Sequence, residues 1–199
     1  MVKERRREQV LDAAKAVFAK KGFHRASIAD IIHRAGIARG TFYLYFKNKR
    51  DIFDSLLESL LEQVDQRIPT IEVGKGKPPP LEQLKTNLTR VTTLSLEEPA
   101  LIHILFHHAM GLDKELDRKV QAFYEMLRGR IEGALTLGIK IGLVRPCPSQ
   151  LVAYGVLGAM KEVMGQLASN RISPPDLKAV VEGLLEFGLH GVLVEPFEG

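Results

Sequence analysis

Arg39, Gly40, Thr41, Tyr43, Tyr45 and Lys49 fall within eleven residues of one another. Guanidinium and ammonium groups pair with phosphate, hydroxyls bond phosphate oxygens or base edges, and a glycine lets a backbone come close to a ligand. The set suits nucleic-acid recognition. It does not suit catalysis, because no nucleophile motif, phosphate-cradling loop or metal signature accompanies it, and the chain is not expected to be an enzyme. His103 and His107 stand four apart on one helical face, as a metal pair would, beside His108. No cysteine lies near them and no glutamate lies between them as in H-E-x-x-H. No metal and no cofactor is expected, and the histidines read as hydrogen-bonding pocket or surface residues. The single cysteine, Cys147, precedes Pro148, where a weak helix cap or a small buried residue fits. A lone cysteine excludes an internal disulfide framework and suits a reducing, cytoplasmic setting.

The elements that must position these residues read as helices throughout. Apolar residues recur at spacings of three and four, and no long run alternates with period two. In the first helix, from Arg5 to Lys21, Val10, Ala13, Ala14, Val17 and Phe18 form a stripe that stops at Gly22. Ser27 opens a short second helix with Asp30 three residues on, in the manner of a capping box, and Ile28, Ile31, Ile32 and Ala35 make its apolar side. Gly36 supplies the positive φ of a sharp turn, and a third helix runs from about Ala38 to Phe46. A fourth helix, about 48–68, carries Ile52, Phe53, Leu56, Leu57, Leu60, Leu61 and Val64 and ends before Pro69. Residues 69–80, with Gly74, Gly76, Pro78, Pro79 and Pro80, form an irregular connection. Further helices are expected over about 81–96, 98–111, 113–141, 149–170 and 174–193, with Ser173 and Asp176 opening the last. The fold class is therefore all-α with about nine helices. No run approaches eighteen continuous apolar residues, so no membrane span is expected, and the charged start, Met1 to Arg7, lacks the apolar core of a signal peptide.

Residues 27–50, SIADIIHRAGIARGTFYLYFKNKR, place two short helices around a glycine turn, a helix-turn-helix. The first helix braces and the second enters the major groove. Phe42, Leu44 and Phe46 are expected to face the core, leaving the polar set outward. Lys49 opens the next helix, where its charge and free backbone N–H groups can serve a phosphate. Charge agrees with this layout. Residues 1–50 hold thirteen Lys and Arg against four Asp and Glu, a balance of +9, whereas residues 51–199 balance at −5. A basic head on an acidic body is the footprint of a polyanion binder.

Here the sequence resembles the TetR family of bacterial transcription regulators. The resemblance runs through Gly22-Phe23, Ser27-Ile28-Ala29-Asp30-Ile31, Ala35-Gly36-Ile37, Gly40-Thr41-Phe42-Tyr43, Tyr45-Phe46 and Lys49, about the first fifty-five residues. It implies a DNA-binding domain at 1–50, three helices with the helix-turn-helix, and a ligand-binding and dimerisation domain at 51–199, bridged by the helix at about 48–68. It also implies an all-α dimer whose repression of an operator is relieved by a small molecule. Carried over by position, Arg39, Thr41 and Tyr43 contact base edges or the groove. Gly40 permits close approach, and Ser27, Tyr45 and Lys49 hold phosphates. Arg5, Arg6 and Arg7 extend along the backbone or into a minor groove. Ala38 departs from the family, which often carries a capping serine there; the missing cap costs ~1 kcal/mol of local stability.

One recognition helix reads too few base pairs, so a symmetric homodimer on a palindromic double-stranded DNA operator is expected. The helix at 151–168 is apolar on more than one face and rich in small residues. Leu151, Tyr154, Gly155, Gly158, Ala159 and Val163, with Leu184 and Leu185 of the last helix, are the candidate dimer surface. For a largely apolar effector, the candidate lining is His103, Leu105, Phe106, His107 and Met110, with Phe123, Tyr124, Met126 and Leu127.

Overall fold

The computed structural model describes residues 2–107, 111, 114–172 and 176–190. Among them the chain is all-α, with helices α1 (Val2–Arg25), α2 (Ile28–Ala35), α3 (Arg39–Tyr43), α4 (Lys49–Arg67), α5 (Pro80–Glu97), α6 (Pro99–His107), α7 (Lys114–Lys140), α8 (Ser149–Ala168) and α9 (Leu177–His190). No described helix is long and apolar enough to cross a membrane. The chain divides into two compact units. One takes the described residues of Met1–Gln63 and Glu98–Val120; the other takes those of Val64–Glu97 and Gln121–Gly199. Thus α6 and the start of α7 join the N-terminal helices, a grouping wider than the head of fifty residues read from the motif.

In the first unit the α1 stripe is buried as its spacing requires, with Val10, Ala14 and Phe18 fully covered. Gly22 breaks the helix with φ 73° and ψ 163°, and one further turn reaches Arg25. Phe18, Phe23 and Phe53 pack edge to face or tilted, centroids 4.9 to 5.7 Å apart, and tie α1 to α4. α6 packs on α1, and Lys15 of α1 meets Glu98, just before α6, at 2.8 Å. On α4, Ile52, Phe53, Leu56, Leu57 and Leu60 are buried and Leu61 is only half-buried; Val64, where the second unit begins, is buried too. Asn48 caps α4 by accepting from the Asp51 N–H at 2.9 Å. The Asp51 carboxylate reaches back to the Lys47 N–H at 2.9 Å.

In the second unit α5 packs against both α8 and α9. Leu88, Leu94, Ala153, Met164, Leu167 and Val181 are buried there. The α7 C-terminus folds back tightly: Leu143 and Val144 both donate to the Gly138 carbonyl. A Cβ on Gly138 would stand 2.6 Å from Val144, so the close approach needs glycine. At α9 the expected start shifts. Asp176 itself caps the helix, accepting from the Ala179 N–H at 2.7 Å, and α9 begins at Leu177. The Ser173 half of the expected box lies outside the described residues.

Candidate functional site

The α2–α3 segment is built by local rules. Ser27 Oγ accepts from the Asp30 N–H at 3.1 Å, and Asp30 Oδ2 accepts from the Ser27 N–H at 3.0 Å, a complete capping box. Lys21 adds an ion pair to Asp30 at 2.6 Å. That partner, with the Ser27 bonds, holds the Asp30 carboxyl down at about 2. Gly36 ends α2 in the left-handed conformation, φ 63°. Ala38 then opens α3 with no side-chain cap.

α3 stands on two buried rings, Phe42 and Phe46, centroids 6.1 Å apart. Leu44, expected beside them in the core, is instead 74% exposed. The reason is angular. At about 100° per residue, Phe42 and Phe46 fall on one side of the helix and Leu44 opposite them. Arg39, Gly40 and Tyr43 are exposed and Thr41 and Tyr45 are half-buried. The Arg39 guanidinium lies 5.9 Å from the Tyr43 ring centroid, so the two side chains form one outward surface.

Lys49 opens α4, as its position suggested, and its ammonium is engaged within the chain. Its ammonium donates to the carbonyls of Phe23 at 2.7 Å, Ala26 at 2.9 Å and His24 at 3.3 Å. It also sits 4.4 Å from the Phe23 ring centroid. A cation here closes the carbonyl end of α1 and fixes the entry to α2. Ser27 likewise has its hydroxyl engaged at the cap, donating to Asp30 Oδ2 at 2.8 Å. Arg5 and Arg6 are exposed and line an open groove with Gln9, Asp12 and Arg34. Arg7 is exposed as well but lies along its own chain, donating to Ser55 Oγ at 3.3 Å, with its guanidinium 5.2 Å from the Phe46 ring centroid. Sequence reading missed the Lys49 and Arg7 contacts, which join residues far apart in the chain.

The effector candidates divide between the units. Leu105 is buried in the first with Leu101, Ile102 and Ile104; His103 and Phe106 are half-buried. His107 ends α6. Met110 and His108 lie outside the described residues. In the second unit Phe123 is buried, and Tyr124, Met126 and Leu127 are half-buried. The Tyr124 hydroxyl is covered and has no hydrogen-bond partner among the described residues, and burial pushes it up to about 12. Among the described residues no group of three His, Cys, Asp or Glu side chains could hold a metal ion.

On α8, Ala153, Met164 and Leu167 face inward, while Leu151 is 68% and Tyr154 51% exposed. Gly155 and Gly158 are exposed too, and a Cβ on either would meet nothing within 4 Å. Ala159, Val163, Leu184 and Leu185 are half-buried, and Phe187 of α9 is 74% exposed.

Comparison with known proteins gives this geometry its context. The fatty acid metabolism regulator protein of Bacillus subtilis is 29% identical over 185 residues, covering 92% of this chain and 94% of that protein. The crystal structure of the transcriptional regulator FadR from Bacillus subtilis in complex with stearoyl-CoA superposes with a TM-score of 0.70 at 27% identity, over 92% of this chain and 98% of that one. The fatty acid degradation regulator FadR from Bacillus halodurans shares the fold, with a TM-score of 0.75 at 24% identity over 94% and 95% of the two chains. Residues 10–56, which hold α2, α3 and the Lys49 contact, match the family model described as bacterial regulatory proteins, tetR family. Residues 10–56 thus carry the N-terminal domain of the TetR family of bacterial regulatory proteins, and the relatives matched over nearly the full length are transcriptional regulators.

Proposed function

We propose that this chain is a homodimeric repressor that binds a palindromic operator and releases it when a fatty acyl-CoA binds. The observation that carries the DNA half is the outward face of α3: Arg39, Gly40 and Tyr43 exposed over the buried Phe42 and Phe46. A groove-reading helix needs a polar face on a rigid base. Arg39, Thr41 and Tyr43 are assigned to the groove, Tyr45, Arg5 and Arg6 to the backbone, and Ser27 to positioning the α2 N-terminus. The functional division is a DNA-binding head at 1–50 and a sensor and dimerisation part at 51–199, acting in the cytoplasm where the operator lies.

The effector class is supported by the near full-length likeness to a regulator of fatty acid metabolism and to a structure holding stearoyl-CoA. An acyl chain is the largely apolar ligand that the α7 residues Phe123, Met126 and Leu127 suit. The dimer reading is supported by the outward apolar side of α8, where Leu151, Tyr154, Gly155 and Gly158 are exposed among the described residues. Small residues there let two helices approach closely.

The experiment is selection of bound fragments from a random duplex library, followed by sedimentation of the complex. The reading expects an inverted repeat with half-sites about one helical turn apart or further, and two chains per duplex. Enrichment of no sequence, or one chain per duplex, overturns it.

A further inference from the structure

We propose that Leu44 reads the 5-methyl group of a thymine in the major groove and so sets one base pair of each operator half-site. The inference rests on α3 being the groove-facing helix and adds what that helix recognises. Leu44 is 74% exposed, although it neighbours two fully covered aromatic residues on the same short segment. Its backbone remains right-handed helical, φ −72° and ψ −21°, so the helical face continues through it. Taking about 100° per residue, Gly40 and Leu44 lie one turn apart in the row farthest from Phe42 and Phe46. That row is where the helix would come closest to a ligand. Gly40 has no side chain, and a Cβ there would meet nothing within 4 Å, so no neighbour among the described residues requires the glycine. An approaching duplex supplies the requirement. Leu44 then follows as the first side chain of the same row, flanked by Tyr43.

The chemistry of that position is apolar and unbranched at Cβ, with no donor or acceptor. Base edges in the major groove offer donors and acceptors at every pair, and one apolar feature, the thymine methyl. Leucine against a carbonyl or amino group would strip water without replacing its bonds. Leucine against the methyl buries apolar area on both sides. The +9 balance of residues 1–50 favours a polyanion over an apolar protein surface as the occupant of this face.

The test replaces thymines of the selected duplex one at a time, in both half-sites, with deoxyuridine. This removes the methyl and leaves the hydrogen-bonding edge intact. For the wild-type chain, one symmetric position loses about fourfold in affinity per half-site, the value of one buried methyl-sized group. Leu44→Ala binds the thymine duplex more weakly and no longer distinguishes thymine from deoxyuridine at that position. Leu44→Met, which keeps an apolar tip, retains the distinction. As Leu44 is exposed, all variants should melt within about 2 °C of the wild type, a surface-size effect. Equal sensitivity to deoxyuridine in wild type and Leu44→Ala overturns the assignment while leaving sequence-specific binding intact. So does the lack of any sensitive thymine. Failure of the wild type to select any sequence overturns both the assignment and the operator reading.

Discussion

Lys49→Met separates a phosphate contact from a structural clamp, because the two roles predict opposite pairs of results. Methionine keeps the apolar stem and removes the ammonium. The wild-type ammonium donates to Phe23 and Ala26 at 2.7 and 2.9 Å, more weakly to His24 at 3.3 Å, and lies 4.4 Å from the Phe23 ring. A hydrogen bond to a charged group contributes ~1.5–3 kcal/mol when buried. Lys49 is half-buried, and water can reach the freed carbonyls, so about 1 kcal/mol for each of the two short bonds is the apt scale. The cation above the ring adds ~0.5–1 kcal/mol. The loss is about 2–3 kcal/mol, which for a chain of this size lowers Tm by ~5–10 °C. The slope of log affinity against log salt should stay at the wild-type value. Losing a phosphate contact in each half-site would flatten it by about 2. Differential scanning calorimetry gives the first quantity, and fluorescence anisotropy across a salt series, well below the melting range, gives the second. An unchanged Tm with a slope flattened by about 2 would refute the clamp and place the ammonium on DNA.

Asp30 is held at about 2 by Lys21 and the Ser27 bonds, below its ordinary 3.8. Its contribution is therefore complete above the unfolded value and fades as pH falls toward 2; carboxyl chemical shifts across an acid titration should show that midpoint, and Asp30→Asn should flatten the acid limb of stability. Gly158→Glu meets open space in its own chain and improves helix propensity, so it should fold with normal helicity yet sediment as a monomer, the cost of burying an unpaired charge being several kcal/mol; a dimer persisting at nanomolar concentration would move the interface elsewhere. Tyr124→Phe removes a covered hydroxyl that has no partner among the described residues. Calorimetry should show unchanged or slightly greater stability, and stearoyl-CoA titration about a fivefold loss if that hydroxyl bonds the effector, the worth of about 1 kcal/mol; unchanged affinity removes Tyr124 from the site.

What could be read from the sequence was what local rules govern. Ser27 with Asp30, Gly36 before Ile37, and the α1 stripe each express a rule that spans a turn or two of helix, and each is found in place. The misplacement of Leu44 has the converse cause. α3 spans five residues, too few to display a period, so residue type alone points an apolar side chain there inward while the helical angle turns it out. The Lys49 contacts join residues 23 to 26 positions apart, and Arg7 reaches Ser55 across 48; no short spacing encodes either. The grouping of α6 with the N-terminal helices depends on contacts such as Lys15 to Glu98, 83 positions apart. Effector residues are the least legible, since Leu105 and Phe123 present the same apolar spacing whether they fill a core or line a ligand site.

The central claim, that an acyl-CoA controls attachment to DNA, is tested most directly by competition. A fluorescent duplex carrying the selected inverted repeat is bound by the chain at fixed salt, and stearoyl-CoA, free coenzyme A and stearate are titrated separately. The account predicts that stearoyl-CoA lowers the anisotropy to that of free duplex, that the other two leave it unchanged, and that duplex weakens stearoyl-CoA affinity by the same factor, as linkage requires. Stearoyl-CoA binding that leaves the DNA complex intact, or release by free coenzyme A alone, would contradict it.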